Sequence, residues 1–269
     1  MNMLLIDQEI YVRLGFFGGI FFCMAVWEML APRRMLRQAK KVRWANNIGL
    51  TVFNGILLRI VFPVAAVGTA VAAHENGWGL FNRMDAPLWL RGAVSIMVLD
   101  LAIYTQHVVF HKVPVLWRLH RMHHTDLDLD VTSGARFHPV EILLSMVIKM
   151  GVVILLGAPA WSVVVFEILL NGTSMFNHSN IAMNQKADGL ARLLVVTPDM
   201  HRVHHSVVIR ETDSNYGFNF PWWDRLFGTY RAQPAAGHKQ MTIGLANYQD
   251  SRWLRFPWML WTPFGKPYR

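Results

Sequence analysis

Histidine is concentrated in one part of this sequence, and that concentration constrains the possible folds and functions more than any other feature. The pattern H-x-x-H-H occurs twice, at residues 120–124 and 201–205. On a helix, side chains three or four residues apart lie on one face, so the imidazoles of each pattern converge. Each pattern is therefore typical of half of a metal site. Ten of the twelve histidines lie between residues 107 and 205: His107, His111, His120, His123, His124, His138, His178, His201, His204 and His205.

The number of histidines predicts the number of metal ions. A single histidine is more often a packed core residue than a ligand, but many unliganded imidazoles beside an apolar segment would be costly. A mononuclear catalytic site uses about three protein ligands and one open position, so ten histidines indicate two ions. Cys23 is the only cysteine and lies in an apolar run. A disulfide within the chain is therefore excluded, and thiolate ligation is not expected.

Composition predicts a membrane protein. Hydrophobic residues make up 53% of the sequence and charged residues only 16%, whereas soluble domains carry about 25% charged residues. The net charge of +9 is compatible with nucleic-acid binding, but six of the cations lie between Arg33 and Arg43, directly after an apolar run. Clusters placed in this way fix membrane topology and contact anionic lipid. No nucleic-acid partner is therefore expected.

Hydropathy predicts three membrane spans and a helical hairpin. A helix needs about 20 apolar residues to cross a hydrocarbon core about 30 Å thick. Gly157-Ala158-Pro159 interrupts a longer apolar stretch near its centre, and proline with glycine breaks a helix there. The predicted spans are residues 11–30, 48–73 and 88–110, and the predicted hairpin covers residues 140–176.

The basic residues predict the orientation of these spans. The dense basic run at residues 33–43 is expected on the cytoplasmic side, and a hairpin that begins and ends on that side brings all ten histidines to one face. Residues 1–10 lack the features of a secretory signal, so the first span is expected to be retained. The predicted fold is an all-α integral membrane protein with about three spans, a membrane hairpin and a cytoplasmic histidine-rich helical cap holding a dinuclear metal site. One domain over residues 1–269 is expected, with its histidine-rich core at about residues 88–231.

Acidic residues near the histidines admit several interpretations. Asp100 lies seven residues before His107, on the same helical face. A carboxylate in a membrane segment is a functional candidate, so Asp100 is expected either to orient a ligand or to form a hydrogen bond between helices. Asp126, Asp128 and Asp130 alternate as in part of a calcium loop, but the turn glycine and the final glutamate are missing. A solvated loop is predicted for them.

Six short motifs, taken together, resemble the fatty acid hydroxylase and sterol desaturase superfamily in order, spacing and flanking residues. The resemblance spans roughly residues 88–231. The motifs are Asp100-x3-Tyr104-x2-His107-x3-His111, Leu116-Trp117-Arg118-x-His120-x2-His123-His124, Phe137-His138-Pro139, Asn177-His178-Ser179-Asn180, Pro198-x2-His201-x2-His204-His205, and Asn215-Tyr216-Gly217 followed by Trp223-Asp224-Arg225-Leu226-Phe227-Gly228-Thr229.

The resemblance implies an integral membrane di-iron oxygenase that uses O2 and two electrons to hydroxylate or desaturate a fatty acyl or sterol-like lipid. It implies ligand roles for the histidines of these motifs, with zinc able to replace the two iron ions on purification. His138 is expected to be a ligand, or else to hydrogen bond to one. Ser174 stands where some members carry a further histidine. Asp224, like Asp100, is a candidate for a hydrogen bond that orients a ligand.

The same reading implies partners and a location. The sequence contains no fused haem domain and no G-x-G-x-x-G motif, so a separate reductase, ferredoxin or b-type cytochrome is expected to supply electrons. The basic loop is a candidate docking site for an acidic donor. The expected location is a bacterial inner membrane. Two alternatives stay open, namely a histidine-rich metal transporter and a zinc-dependent membrane hydrolase.

Overall fold

The computed structural model describes residues 8–265, which are almost entirely helical. Most of residues 1–10, for which no secretory signal is expected, lies outside the described residues. The longer helices are α1 Glu9–Leu30, α2 Lys40–Val61, α3 Ala65–Glu75, α4 Leu88–Lys112, α5 Pro114–His124, α6 Pro139–Leu156, α7 Ala160–His178, α8 Gln185–Ala191 and α9 Pro198–His204. Shorter helices are α10 Ile209–Thr212, α11 Trp222–Leu226, α12 Gly237–Gln240 and α13 Phe256–Trp261, with 3-10 turns at Leu80–Asn82, Ser133–Ala135, Ala246–Tyr248, Ser251–Leu254 and Thr262–Phe264.

Four helical stretches of the described chain are long and apolar enough to cross a membrane. They are Glu9–Leu30, Lys40–Asn82, Leu88–Lys112 and Pro139–Leu156. The first and third confirm two predicted spans. The predicted second span is wrong in one respect, because α2 ends at Val61 and α3 begins at Ala65. Pro63 lies between them, and proline lacks an N–H and disfavours helical geometry in the residue before it.

The two helices of the predicted hairpin are present as α6 and α7, and of these two α6 is among the four candidate membrane spans of the described chain. Gly157 ends α6 in the left-handed conformation, with φ of 63°, and glycine adopts this conformation without steric cost. A Cβ atom at Gly157 would lie 2.7 Å from the Trp78 carbonyl oxygen. The tip of the hairpin therefore packs closely against the loop that precedes α4.

Helix α4 is the centre of the bundle. It packs against α5, α6 and α7, while α1 lies along α7, and α3 contacts both arms of the hairpin. Burying apolar side chains between these helices is the main stabilising contribution in the bundle. The shared core includes Leu99 and Ile103 of α4, Met146 and Val153 of α6, and Val163 and Phe166 of α7.

The three alternating aspartates correct the prediction of a solvated loop. Asp126, Asp128 and Asp130 are all fully buried. Arg43 of α2 is buried with them, donates to Asp126 Oδ1 from Nε at 2.9 Å and forms an ion pair with Asp130. Buried charges persist when they are paired and hydrogen bonded. Part of the basic run therefore binds the chain itself and is not available to lipid.

Candidate metal centre

Proline and capping residues set the helices that carry the histidines. Pro114 begins α5 two residues after α4 ends, which separates His111 and His120 into two helices. The Thr197 hydroxyl accepts the Met200 N–H at 3.3 Å and so caps α9, as expected for threonine at a helix start. Histidines come from the ends of four helices: His107 and His111 from α4, His120, His123 and His124 from α5, His178 from α7, and His201 and His204 from α9, with His205 directly after it.

Nine of the ten predicted histidines form two buried groups. Within each group, one ligand nitrogen of every member lies within 4.8 Å of the others. The five-histidine group consists of His107, His111, His120, His124 and His204, and the four-histidine group consists of His123, His178, His201 and His205.

Each H-x-x-H-H pattern is divided between the two groups. The histidines four residues apart, His120 with His124 and His201 with His205, belong to the same group. The remaining histidine of each pattern belongs to the other group. His123 is therefore in the four-histidine group, although His124 next to it is in the five-histidine group. Neighbouring side chains on a helix diverge by about 100°. One pattern can thus serve two metal ions.

Backbone carbonyl groups hold several of the rings in one tautomer. His107 Nδ1 donates to the Tyr216 carbonyl at 2.7 Å, and His123 Nδ1 donates to the Arg136 carbonyl at 3.0 Å. In the same way, His178 Nδ1 donates to the Ser174 carbonyl at 2.8 Å, and His204 Nδ1 to the Ser214 carbonyl at 2.7 Å. A carbonyl only accepts, so Nδ1 carries the proton and Nε2 keeps a lone pair.

These lone pairs point at one another. His123 Nε2 lies 3.0 Å from His178 Nε2, although both Nδ1 protons are already donated to carbonyls. Two acceptor atoms at this distance repel unless a cation lies between them. The arrangement therefore fits a bound metal ion and does not fit a hydrogen bond between the rings.

The distances also suit metal coordination. Two nitrogens about 2.1 Å from one ion, at angles of about 90–110°, lie about 3.0–3.4 Å apart. His107 and His120 have Nε2 atoms 3.1 Å apart, and His124 Nε2 lies 3.3 Å from His120 Nε2. In the four-histidine group, His201 Nε2 is 3.1 Å from His178 Nε2. Both groups therefore match the spacing of imidazoles around a single ion.

Burial keeps these rings neutral. It lowers the pKa of His123 well below 6.5, and the neighbouring His178 lowers it further. Burial, followed by the influence of His120, lowers the pKa of His204 to about 3. A neutral imidazole is the form that binds metal. The site is therefore ready to bind cations at neutral pH without first losing protons.

Two carboxylates that the sequence analysis missed contact the ligand histidines. His120 Nδ1 donates to Glu141 Oε1 at 2.6 Å, and His111 Nδ1 lies 3.3 Å from Asp213 Oδ1. A carboxylate bound to the far nitrogen of a ligand fixes its tautomer and makes it a stronger donor to metal. Glu141 carried a usable signal, since it is an ionisable residue in an apolar hairpin.

A cavity of about 280 Å³ opens between the five-histidine group and the membrane helices. His107 and His120 form part of one end, with Phe110 and Phe137 beside them. Small-molecule sites commonly measure about 300–1,000 Å³. The cavity is just below this range and can hold part of a lipid, next to the proposed metal ligands.

His138 lies outside both groups. It precedes α6, where its Nδ1 accepts the Val140 N–H at 3.2 Å, and its Nε2 lies 3.4 Å from the Leu260 carbonyl oxygen. Both ring nitrogens are therefore engaged in other contacts. This placement does not support the expectation that His138 completes the metal site, and its contacts are those of a helix-capping residue.

Asp100 and Asp224 support the site through other residues. Asp100 Oδ2 accepts the Trp223 Nε1–H at 2.8 Å, so of its two predicted roles the structure shows the tertiary hydrogen bond. Asp224 accepts the backbone N–H groups of Tyr216 and Gly217, each at 2.8 Å. The expected direct bonds to ligand histidines are thus replaced by contacts that shape the loop whose Tyr216 carbonyl holds His107.

Comparison with known proteins identifies relatives that act on lipids. The chain is 28% identical over 220 residues to ornithine lipid hydroxylase OlsE of Rhizobium tropici, covering 78% of this chain and 64% of the relative. It is 25% identical over 217 residues to alkylglycerol monooxygenase of Xenopus tropicalis, covering 78% and 46%, and 24% identical over 210 residues to cholesterol 25-hydroxylase of Rattus norvegicus, covering 76% and 66%. The chain thus spans less than two thirds of the length of the first two relatives. No solved structure matches it.

A family match covers the histidine-rich part. Residues 92–229 match the fatty acid hydroxylase family, which is just over half of the 269-residue chain and nearly the range of the predicted resemblance. The matched range contains all nine histidines of the two groups and also His138. The apolar helices of the chain make this an integral membrane protein. The chain belongs to the fatty acid hydroxylase family.

Proposed function

We propose that this protein is an O2-dependent oxidase of membrane lipids that holds two iron ions with its nine grouped histidines. The observation that carries the proposal is the pair of imidazole groups, whose unprotonated Nε2 atoms face one another beside a cavity in a membrane-spanning bundle. The relatives are a lipid hydroxylase, a monooxygenase and a sterol hydroxylase by name, and these names favour hydroxylation over desaturation.

The donor set supports the choice of metal. Imidazole suits iron, zinc and copper alike, and a redox-active metal is required for a hydroxylase. Bound iron would supply the activation of O2 and the oxidation of an unactivated C–H bond, with two electrons from outside. Zinc can occupy the same nitrogens on purification. The protein itself orients the imidazoles, through the carbonyls of Tyr216 and Arg136 and the Glu141 carboxylate.

The cavity supports a lipid substrate. Phe110 and Phe137 form an apolar part of the cavity wall next to His107 and His120. An aliphatic carbon can therefore lie close to the five-histidine group. An apolar enclosure also excludes water from the reacting centre. Since α4, α6 and α7 form the surrounding bundle, we propose that a fatty acyl or sterol-like chain enters from the bilayer.

The proposed orientation places the histidine groups on the cytoplasmic side of a bacterial inner membrane. It is supported by the basic run at residues 33–43, which covers the connection from α1 and the start of α2, since basic loops stay in the cytoplasm. Arg37 and Lys41 of this run are exposed, so an acidic reductase, ferredoxin or b-type cytochrome could be attracted there. Arg43 is unavailable because it is buried against Asp126.

The two alternatives receive less support. A transporter needs ligands at several depths of the membrane, whereas the nine histidines lie in two adjacent groups. A hydrolase needs few ligands and an open position for water, whereas the groups contain five and four histidines. Neither alternative is favoured by a specific contact.

Metal analysis and isotope labelling test the proposal together. Protein purified after growth with added iron is expected to contain about two iron ions per chain. Lipid extracts from cells that express the protein under 18O2 are expected to gain an 18O-labelled product, which should be missing when His107→Ala replaces the native chain. Zinc flux into proteoliposomes, or product formation without O2, would contradict the proposal.

A further inference from the structure

Four charged side chains meet inside the membrane part of the bundle. Lys149 Nζ of α6 lies 2.6 Å from Glu167 Oε1 of α7. Arg13 Nη1 of α1 lies 3.0 Å from Glu167 Oε2 and 3.1 Å from Glu9 Oε2. Charged residues in membrane helices are costly, and they mark functional sites by default. The metal centre uses none of these four residues.

The charged cluster borders the same cavity as the histidines. Arg13, Lys149 and Glu167 line it together with His107 and His120. Lys149 follows Glu141 by eight residues on α6 (141 to 149), which is about 12 Å along a helix. Glu141 itself contacts His120. The cavity thus has ionisable groups at two separated places. The rest of its lining is mixed and includes the apolar Phe17, Leu58, Met146 and Phe218 and the polar Asn54, Gln106, Ser145 and Asn171.

A purely structural role does not explain why these four positions carry charged residues. Replacing a buried ion pair by apolar residues of similar size is often neutral or stabilising, so packing alone does not require these charges. A lysine ammonium has three N–H donors, and Glu167 is the one hydrogen-bond partner of Lys149 within residues 8–265. Glu167 Oε2 forms the ion pair with Arg13 at 3.0 Å but receives no hydrogen bond of good geometry in that range, so it keeps a lone pair. The cluster therefore offers both a donor and an acceptor to the cavity.

The charges indicate the kind of group that binds there. Two cations, Arg13 and Lys149, balance two carboxylates, Glu9 and Glu167. A ligand with a net charge would disturb this balance in a medium of low dielectric constant. A hydroxyl group is neutral, accepts from an ammonium and donates to a carboxylate. An ester carbonyl can only accept, and an alkyl chain can do neither.

We propose that the cavity binds a hydroxyl-bearing lipid at two ends, with the hydroxyl group in contact with the paired Lys149 and Glu167 and an aliphatic carbon beside His107 and His120. The inference rests on the proposed lipid oxidation and names its substrate class. The separation of the ion pair from the histidines, set along α6 by the eight residues from Glu141 to Lys149, then selects which carbon is oxidised. Lys149 and Glu167 are specificity-determining residues, and they do not touch the proposed metal ions.

Photolabelling tests this binding without turnover. The iron-loaded full chain in lipid nanodiscs, kept free of O2, is exposed to three probes that carry a diazirine near the methyl end: a long-chain alcohol, the matching acid and the matching alkane. The labelled peptides are then identified by mass spectrometry. The alcohol is expected to label segments around Phe110 or Phe137 about tenfold more than the alkane, as hydrogen bonds to charged groups allow.

Variants separate recognition from packing. The double variant Lys149→Met/Glu167→Leu removes the ion pair as a unit and should fold, since Arg13 keeps Glu9. It is expected to lose the preference for the alcohol about tenfold, while its iron content stays unchanged. Arg59→Met is a matched control, because Arg59 is an exposed cation on membrane helix α2 outside the cavity.

The outcomes are distinguishable from failure of the proposed function. Equal labelling by alcohol and alkane in the native protein, or an unchanged preference in the double variant, would overturn the inference even if the protein oxidises lipids. Stronger labelling by the acid would overturn the assignment of a neutral group. Specific alcohol labelling in a protein without oxidase activity would instead support the binding site and contradict the proposed reaction.

Discussion

His120 and Glu141 are joined by a 2.6 Å hydrogen bond from the imidazole Nδ1 to the carboxylate Oε1. The two residues lie on α5 and α6, and both are buried. The bond leaves His120 Nε2 free to face His107 Nε2 at 3.1 Å. A ligand with an anionic partner is more basic and is fixed in one tautomer. Glu141 therefore connects the membrane hairpin to the five-histidine group.

We expect Glu141→Gln to weaken metal binding. Glutamine still accepts the hydrogen bond from His120 through its amide oxygen, so the variant removes the negative charge and keeps the geometry. The expected loss is about 10–100-fold in iron affinity or activity, measured by iron titration of the metal-free protein. Glu75→Gln, an exposed site at the end of α3, should match the native protein. Equal affinity in both variants would show that the Glu141 charge does not reach the metal.

Adjacent histidines should differ in their effect on metal content. His123→Ala leaves three histidines in its group, whereas His124→Ala leaves four in the other. Because three ligands are about the minimum for a metal site, we expect His123→Ala to weaken iron binding in its group more than His124→Ala weakens it in the other, so that His123→Ala retains less iron per chain. Inductively coupled plasma mass spectrometry gives the count directly. The same loss in both variants would contradict the division of the H-x-x-H-H pattern between two sites.

His138→Ala should retain both metal ions. The side chain caps α6 through Val140, so we expect only a stability loss of about 1 kcal/mol or less. His178→Ala, by contrast, removes a ligand whose Nε2 faces both His123 and His201. Iron content and thermal unfolding, measured on both variants in one detergent, separate the two roles. Loss of metal from His138→Ala would instead indicate that His138 is a metal ligand.

The sequence predicts that the histidines cluster, but it does not predict which of the two groups each histidine joins. Helical spacing and the repeated pattern are local, so they indicate which imidazoles converge. The group that His123 or His204 joins depends on how α5 and α9 are rotated in the bundle, and nothing local encodes that rotation. The motif around His138 resembles a ligand motif, but the ring lies at the start of α6 and faces Leu260.

Local sequence patterns also do not predict ion pairs between residues that are far apart in the chain. Asp126 looks like a loop residue because its partner Arg43 is 83 positions away. Membrane spans were predictable from hydropathy, although Pro63 divides the second one into α2 and α3. Glu141, Lys149 and Glu167 could have been singled out, since each is an ionisable residue within an apolar hairpin.

Arg43→Met should strongly destabilise the protein. It leaves the buried carboxylates of Asp126 and Asp130 without their cation, and removing one partner of a buried ion pair costs about 3–5 kcal/mol. We expect a lower midpoint of thermal unfolding in detergent. Lys41→Met, which changes an exposed cation on the same helix, should leave the midpoint nearly unchanged. Similar midpoints for both variants would indicate that the aspartates find another partner.

Gly134→Ala tests how closely the loop before α6 packs on the end of α7. A Cβ atom at Gly134 would lie 2.4 Å from the Ser174 carbonyl oxygen, the same oxygen that accepts from His178 Nδ1 at 2.8 Å. Such a distance forces backbone to move, so we expect His178 to shift, with loss of iron from the four-histidine group and a lower unfolding midpoint. Gly151→Ala is the matched control, because no atom lies within 4 Å of its added Cβ. In a helix interior this control should be neutral or stabilising by up to about 1 kcal/mol. Iron content and unfolding midpoints that are the same for both alanine variants would mean that the contact at Ser174 yields without moving His178.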